Sequence, residues 1–268
     1  MLIKIKDIEM YYESHGRGTP LIMIPGYAVS SEMWSPFWKR LLDFYQVILI
    51  DNRGTGRSDA PNIEYSIRMM ADDLVELMDA INIPKAHILG GSMGGMIAQE
   101  LVLNYSEKVL SLILGMTSCG GPHSVQISEE VQRKMQTAAN PPQDMSKEEV
   151  MELTWSMFYS PSYIEQNRGI LTKETMSIKY PTSLIGKWRQ AQAVQNWEGS
   201  YDRLSNIKVP TLVMGGENDV IFPPENFRIL AEKIPGADLH VLKDAPHAFT
   251  REKEEQVVAV LLEFLGRI

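Results

Sequence analysis

An internal disulfide is the first thing this sequence lacks. Its 268 residues include one cysteine, Cys119, so stability has to come from packing. Long uncharged apolar runs, of the kind that span a bilayer, are absent as well. The opening residues Met1-Leu2-Ile3-Lys4-Ile5-Lys6-Asp7 carry charge where a secretory leader needs its apolar stretch. Nor is there a basic excess: 26 Lys and Arg face 34 Asp and Glu, a formal charge of −8. That balance argues against global attraction to nucleic acid or anionic membrane. No repeat or low-complexity tract is visible. The expectation is a cytoplasmic globule with no membrane span and no nucleic-acid partner; its oligomeric state stays open.

What is present is enough apolar material for a large core, 44% of residues. A chain of this length exposes about 12,000 Å² and buries roughly three quarters of its extended surface. Apolar periodicity alternates between two and 3.6, the mark of strands interleaved with helices. Strands are predicted at residues 2–6, 8–13, 21–24, 46–50, 86–89, 109–114, 211–214 and 239–242. Helices are predicted at 31–44, 67–81, 93–104, 225–234 and 252–265. Several strands are continuous apolar runs, as expected of parallel strands covered on both faces. Residues 120–208 break the rhythm, with helical patterns, Pro141-Pro142 and the aromatics Trp155, Phe158, Tyr159, Trp188 and Trp197. The predicted fold class is α/β, a mostly parallel sheet with helices on both faces. Residues 1–119 and 209–268 form its core, and 120–208 form a helical lid inserted after the sixth strand.

The segment Leu89-Gly90-Gly91-Ser92-Met93-Gly94-Gly95 holds a Gly-x-Ser-x-Gly motif between an apolar strand and an amphipathic helix. Glycines two before and two after the serine leave room for a turn too tight for side chains. The serine then projects beside a helix N-terminus, where positive partial charge meets a developing oxyanion. A phosphate loop would carry Gly-Lys-Ser/Thr, and no lysine lies near Ser92. A plain helix cap is the blander alternative.

A serine nucleophile needs a base, and the base an orienting acid. His15 sits in a turn, His87 and His240 in strands, and His123 at the entry to the insertion. His247 alone follows the final strand, in Asp244-Ala245-Pro246-His247, at the carboxyl edge where Ser92 also lies. For the acid, Asp219 in the loop after the strand at 211–214 is the best candidate, with Glu217 and Asp244 as competitors. No carboxylate follows the strand at 109–114. Asp51 precedes the nucleophile and is read as bracing its own turn beside Arg53.

In this order of serine, acid and histidine the chain resembles an α/β-hydrolase over essentially its whole length. Ile24-Pro25-Gly26-Tyr27-Ala28 resembles that family's oxyanion loop, and Asp51-Asn52-Arg53-Gly54-Thr55-Gly56-Arg57-Ser58 resembles its Asp-x-Arg-Gly-x-Gly-x-Ser turn. The resemblance implies an oxyanion hole made by the backbone N–H groups of Tyr27 and Met93, with Gly26 letting the loop approach the substrate carbonyl. Many members carry histidine where this chain has Pro25, so a side chain that ties the loop down is missing. Roofing the site, Trp155, Phe158 and Trp188 are expected to wall an apolar pocket. The resemblance points to a carboxylesterase or enol-lactone hydrolase: a metal-free, cofactor-free serine hydrolase of a small to medium apolar ester or lactone. Alternatives on the same fold are a C–C hydrolase of dienone-type metabolites, an aminopeptidase using a lid acid such as Glu198, and a slowly turning over ligand receptor.

Overall fold

The aliphatic runs form one sheet in the computed structural model, which describes residues 1–268. Its strands are β1 (Leu2–Ile5), β2 (Ile8–His15), β3 (Thr19–Ile24), β4 (Tyr45–Asp51), β5 (Ala86–Gly91), β6 (Val109–Gly115), β7 (Thr211–Gly216) and β8 (Asp238–Leu242). They lie in the order β1-β2-β4-β3-β5-β6-β7-β8. Only the β1–β2 and β2–β4 pairs are antiparallel. From β3 the chain steps outward to β4 and then returns to β5 on the other side, so β3 and β5 flank a topological switch point. Crevices open beyond the carboxyl ends of strands at such a point.

Alternate strand residues supply opposite faces of the sheet. Ile22, Ile24, Ile48, Ile50 and Ile88 join one core with α1 (Ile67–Ala80) and α2 (Met93–Asn104). Leu21, Met23, Val47, Leu49 and Leu89 join the other, beneath a C-terminal helix at Glu254–Leu265. The exposed surface is 12736 Å², close to what the length predicts. No helix is long and apolar enough to cross a membrane.

Between β6 and β7 lie four helices, α3 (Glu129–Ala139), α4 (Lys147–Phe158), α5 (Pro161–Met176) and α6 (Leu184–Gln195). Each starts on a serine, Ser128, Ser146, Ser160 or Ser183, whose hydroxyl accepts from the third helical N–H. That satisfies one of the donors a helix start leaves unpaired. Beyond β7 come α7 (Glu225–Lys233), α8 (Phe249–Glu252) and α9 (Glu254–Leu265).

Two helix predictions are corrected. Residues 31–44 form two short 3₁₀ turns, Ser31–Trp34 and Phe37–Leu41, because Pro36 cannot donate a helical hydrogen bond. The last helix is divided at Lys253, whose φ of −121° leaves the helical range.

Candidate active site

Ser92 sits between β5 and α2 with φ 56° and ψ −123°, outside the usual wells for a residue with a side chain. Such a conformation costs on the order of 1–3 kcal/mol and persists only where its surroundings over-determine it. Here the Ser92 N–H donates to the Gly115 carbonyl at 3.0 Å. Its own carbonyl accepts from the Gly95 N–H at 2.9 Å and the Thr117 hydroxyl at 2.8 Å. The glycines are spatial requirements: a Cβ on Gly94 would stand 2.1 Å from the Ile24 carbonyl oxygen. The Ser92 hydroxyl does not cap α2, which removes the blander reading of this serine.

The loop after β3 presses on that side chain. A Cβ on Gly26 would lie 3.2 Å from Ser92 Cβ and 3.6 Å from its Oγ. Two of the loop amides are occupied: the Gly26 N–H donates to Met33 Sδ at 3.2 Å, and the Ala28 N–H to Gln190 Oε1 at 2.9 Å. The Tyr27 N–H between them has no partner within the chain. Met93 is the first residue of α2, so its N–H belongs to the unpaired first turn.

Asp219 and His247 meet. Both are buried, and Nδ1 of the imidazole lies 2.8 Å from Asp219 Oδ2. The other carboxylate oxygen accepts from the N–H groups of Ile221 (2.8 Å) and Phe222 (2.9 Å). Because a carboxylate only accepts, the proton on this edge of the ring sits on Nδ1, leaving the Nε2 lone pair available as a base. The rings of Phe158 and Phe222 stand 5.3 and 5.8 Å from the imidazole. Phe222 escaped the sequence reading; its closeness to Asp219 in the chain was the available signal.

The competitors have other work. Glu217 accepts the Asp244 N–H at 3.1 Å and braces the loop. Asp51 is buried under Arg57, whose Nε lies 2.8 Å away; it does not pair with Arg53, which binds Asp73 and Asp7 instead. His87 bonds Ser111, and burial depresses its pKa. His123 stacks on Tyr201, and His15 pairs with Glu13. Burial pushes the Cys119 thiol up to about 11, so it carries no thiolate near neutrality. Glu198 is exposed, while the Trp197 indole beside it donates to Glu100. No group of three His, Cys, Asp or Glu side chains stands ready to hold a metal ion.

Of the expected pocket wall, the Phe158 ring stands beside the imidazole, while the contacts made by the two tryptophans are with other side chains of the insertion. Trp155 is buried between α4 and α5, its N–H reaching Thr175 Oγ1 at 3.3 Å, because a buried indole needs an acceptor. Trp188 is half exposed and stacked with Arg189. It shares its face of α6 with Leu184, which is 86% exposed, whereas Gly186 and Gln190 occupy the inward face.

Comparison with known proteins agrees with this fold. The family model described as the α/β hydrolase fold matches residues 19–253. A protein of Azorhizobium caulinodans that bears the provisional name carbamate hydrolase RutD is 30% identical, covering 98% of this chain and 97% of its own. A thermophilic esterase from Thermogutta terrifontis is 27% identical with a TM-score of 0.81, over 97% of this chain and 94% of that one. The enol-lactonase from Burkholderia xenovorans LB400 superimposes with a TM-score of 0.85 over 99% of this chain and 100% of that one; at 23% identity it speaks for the fold alone.

Proposed function

The chain belongs to the α/β-hydrolase fold family and is a hydrolase; from that premise we propose a serine hydrolase of small to medium apolar esters or lactones. Ser92 is the nucleophile, His247 the base and Asp219 the acid that orients it. The observation that carries this reading is the buried 2.8 Å Asp219–His247 bond at the sheet edge where Ser92 is held at φ 56°.

In the proposed cycle, His247 Nε2 takes the hydroxyl proton as Ser92 Oγ bonds to the carbonyl carbon. The carbonyl oxygen becomes an oxyanion and rests on the N–H groups of Tyr27 and Met93. Collapse expels the alkoxide, which receives the proton from His247, and leaves an acyl-serine. Water, deprotonated by His247, attacks that ester; the acid departs and the serine regains its proton. Helices α3 to α6 act as the lid. An apolar substrate is supported by the Phe158 and Phe222 rings at the imidazole, and by the pairing of the nearby Arg53 and Arg57 with aspartates. The carbamate in the relative's name has a carbonyl open to the same attack, so carbamates belong in the test panel.

A fluorophosphonate is expected to label the protein once, on the peptide containing Ser92, with parallel loss of ester turnover. Label or turnover surviving in Ser92→Ala would remove Ser92 from its role.

A further inference from the structure

The loop that presses on Ser92 is held from the insertion. Gln190 on α6 is fully buried, and its amide spans two backbone groups of the core. Its Oε1 accepts the Ala28 N–H at 2.9 Å, and its Nε2 donates to the Arg53 carbonyl at 2.8 Å. One partner is a donor and the other an acceptor, so chemistry alone decides which way the amide points. Thr182, just before α6, donates its hydroxyl to the Ala28 carbonyl at 2.8 Å. Ala28 is thus gripped on both sides, at φ 56°, a left-handed conformation that a non-glycine residue holds only under constraint. From the core, the same loop is held by Asn52, whose side chain donates to the Pro25 carbonyl at 3.0 Å. Pro25 itself has no polar side chain to contribute.

We infer that Gln190 is a positioning residue: it couples the seating of α6 to the shape of the 26–28 loop, leaving Tyr27 as that loop's one free amide donor. This rests on the serine-hydrolase reading above. Removing the amide would orphan the buried Arg53 carbonyl together with the N–H of the half-buried Ala28. Ala28 would then be free to leave the left-handed region, and the peptide before it would rotate. Rotation of that peptide moves the Tyr27–Ala28 segment beside the reacting carbonyl, where displacements of about 1 Å cost on the order of 10²-fold in rate.

The test compares the parent with Gln190→Met, which keeps the volume without the hydrogen bonds, and Gln190→Glu. In the second variant a neutral carboxyl can make both bonds, whereas a carboxylate turns lone pairs on the Arg53 carbonyl. For Gln190→Met, kcat on a p-nitrophenyl ester is expected to fall roughly 10- to 100-fold with KM moving less than about threefold. Fluorophosphonate labelling of Ser92 should slow to match. For Gln190→Glu, activity relative to the parent should climb as pH falls and the introduced carboxyl becomes neutral. A kcat for Gln190→Met within about twofold of the parent overturns the inference, as does a Gln190→Glu pH profile parallel to the parent's. Should Gln190→Met fail to fold, the Gln190→Glu profile decides alone, because its two protonation states are compared within one protein. A parent that takes no label on Ser92 would instead overturn the serine-hydrolase reading.

Discussion

Asp219 is held by three donors, and their arrangement forecasts what asparagine would do there. Oδ1 is taken by the N–H groups of Ile221 and Phe222, so an asparagine would keep its carbonyl on that side and turn its NH2 to His247. The imidazole would have to accept on Nδ1 and carry its proton on Nε2, losing the lone pair that acts as base. Asp219→Asn is therefore expected to lower kcat by about 10⁴-fold with the fold intact, measured by ester turnover alongside circular dichroism. The candidacy of Ser92, Asp219 and His247 was legible from local turn chemistry and strand order. The preference for Asp219 over Glu217 and Asp244 was legible too, but its contact with the ring was not, because all three share one edge of the sheet and only the folded loops decide which carboxylate reaches it. The partner of Asp51 went the same way: the turn was legible, but Arg57 rather than Arg53 closes it.

At the scale of elements, α6 docks by backbone contact. A Cβ on Gly186 would sit 1.9 Å from the Gly54 carbonyl oxygen, and backbone there cannot give way as a flexible side chain could. Gln190 follows one turn later on the same face. Gly186→Ala is expected to cost about 1–3 kcal/mol and to lower kcat as well, read from a urea midpoint and ester kinetics. Gly169 in α5 is the control: a Cβ there meets nothing within 4 Å, and its φ lies outside the left-handed range. Gly169→Ala should stabilise by roughly 0.4–1 kcal/mol and leave kcat unchanged. The α2 helix was legible to the residue because Ser92 and the tight turn mark its start. Residues 31–44 were misread because an aromatic-rich apolar pattern fits a helix as well as it fits consecutive 3₁₀ turns, and Pro36 between them decided it.

Across the whole molecule, Arg53 ties distant pieces of chain together. Its guanidinium is buried against Asp73 of α1, 2.6 Å from Nη2 to Oδ1, and reaches Asp7 in the β1–β2 turn at 3.1 Å. Its carbonyl holds Gln190 of the insertion. Burial pushes the Asp73 carboxyl up, the direction expected of a charge that needs its cation. Arg53→Met would strand that carboxylate and is expected to cost about 3–5 kcal/mol, whereas adding Asp73→Leu should restore much of the loss; urea denaturation of both variants measures it. By itself the sequence determined the alternation of strands and helices, the strained serine corner and the chain order of the three candidate groups. Those features depend on periodicity and turn chemistry, which act over a few residues. Only the tertiary structure decided that the Asp219 carboxylate reaches His247 while Glu217 braces the loop, that Trp155 bonds Thr175 and Trp188 stacks with Arg189, and that a glutamine grips the loop over Ser92. Ala28 and Gln190 are separated by 162 positions in the chain, and no local pattern encodes a bond made only when the insertion closes on the sheet.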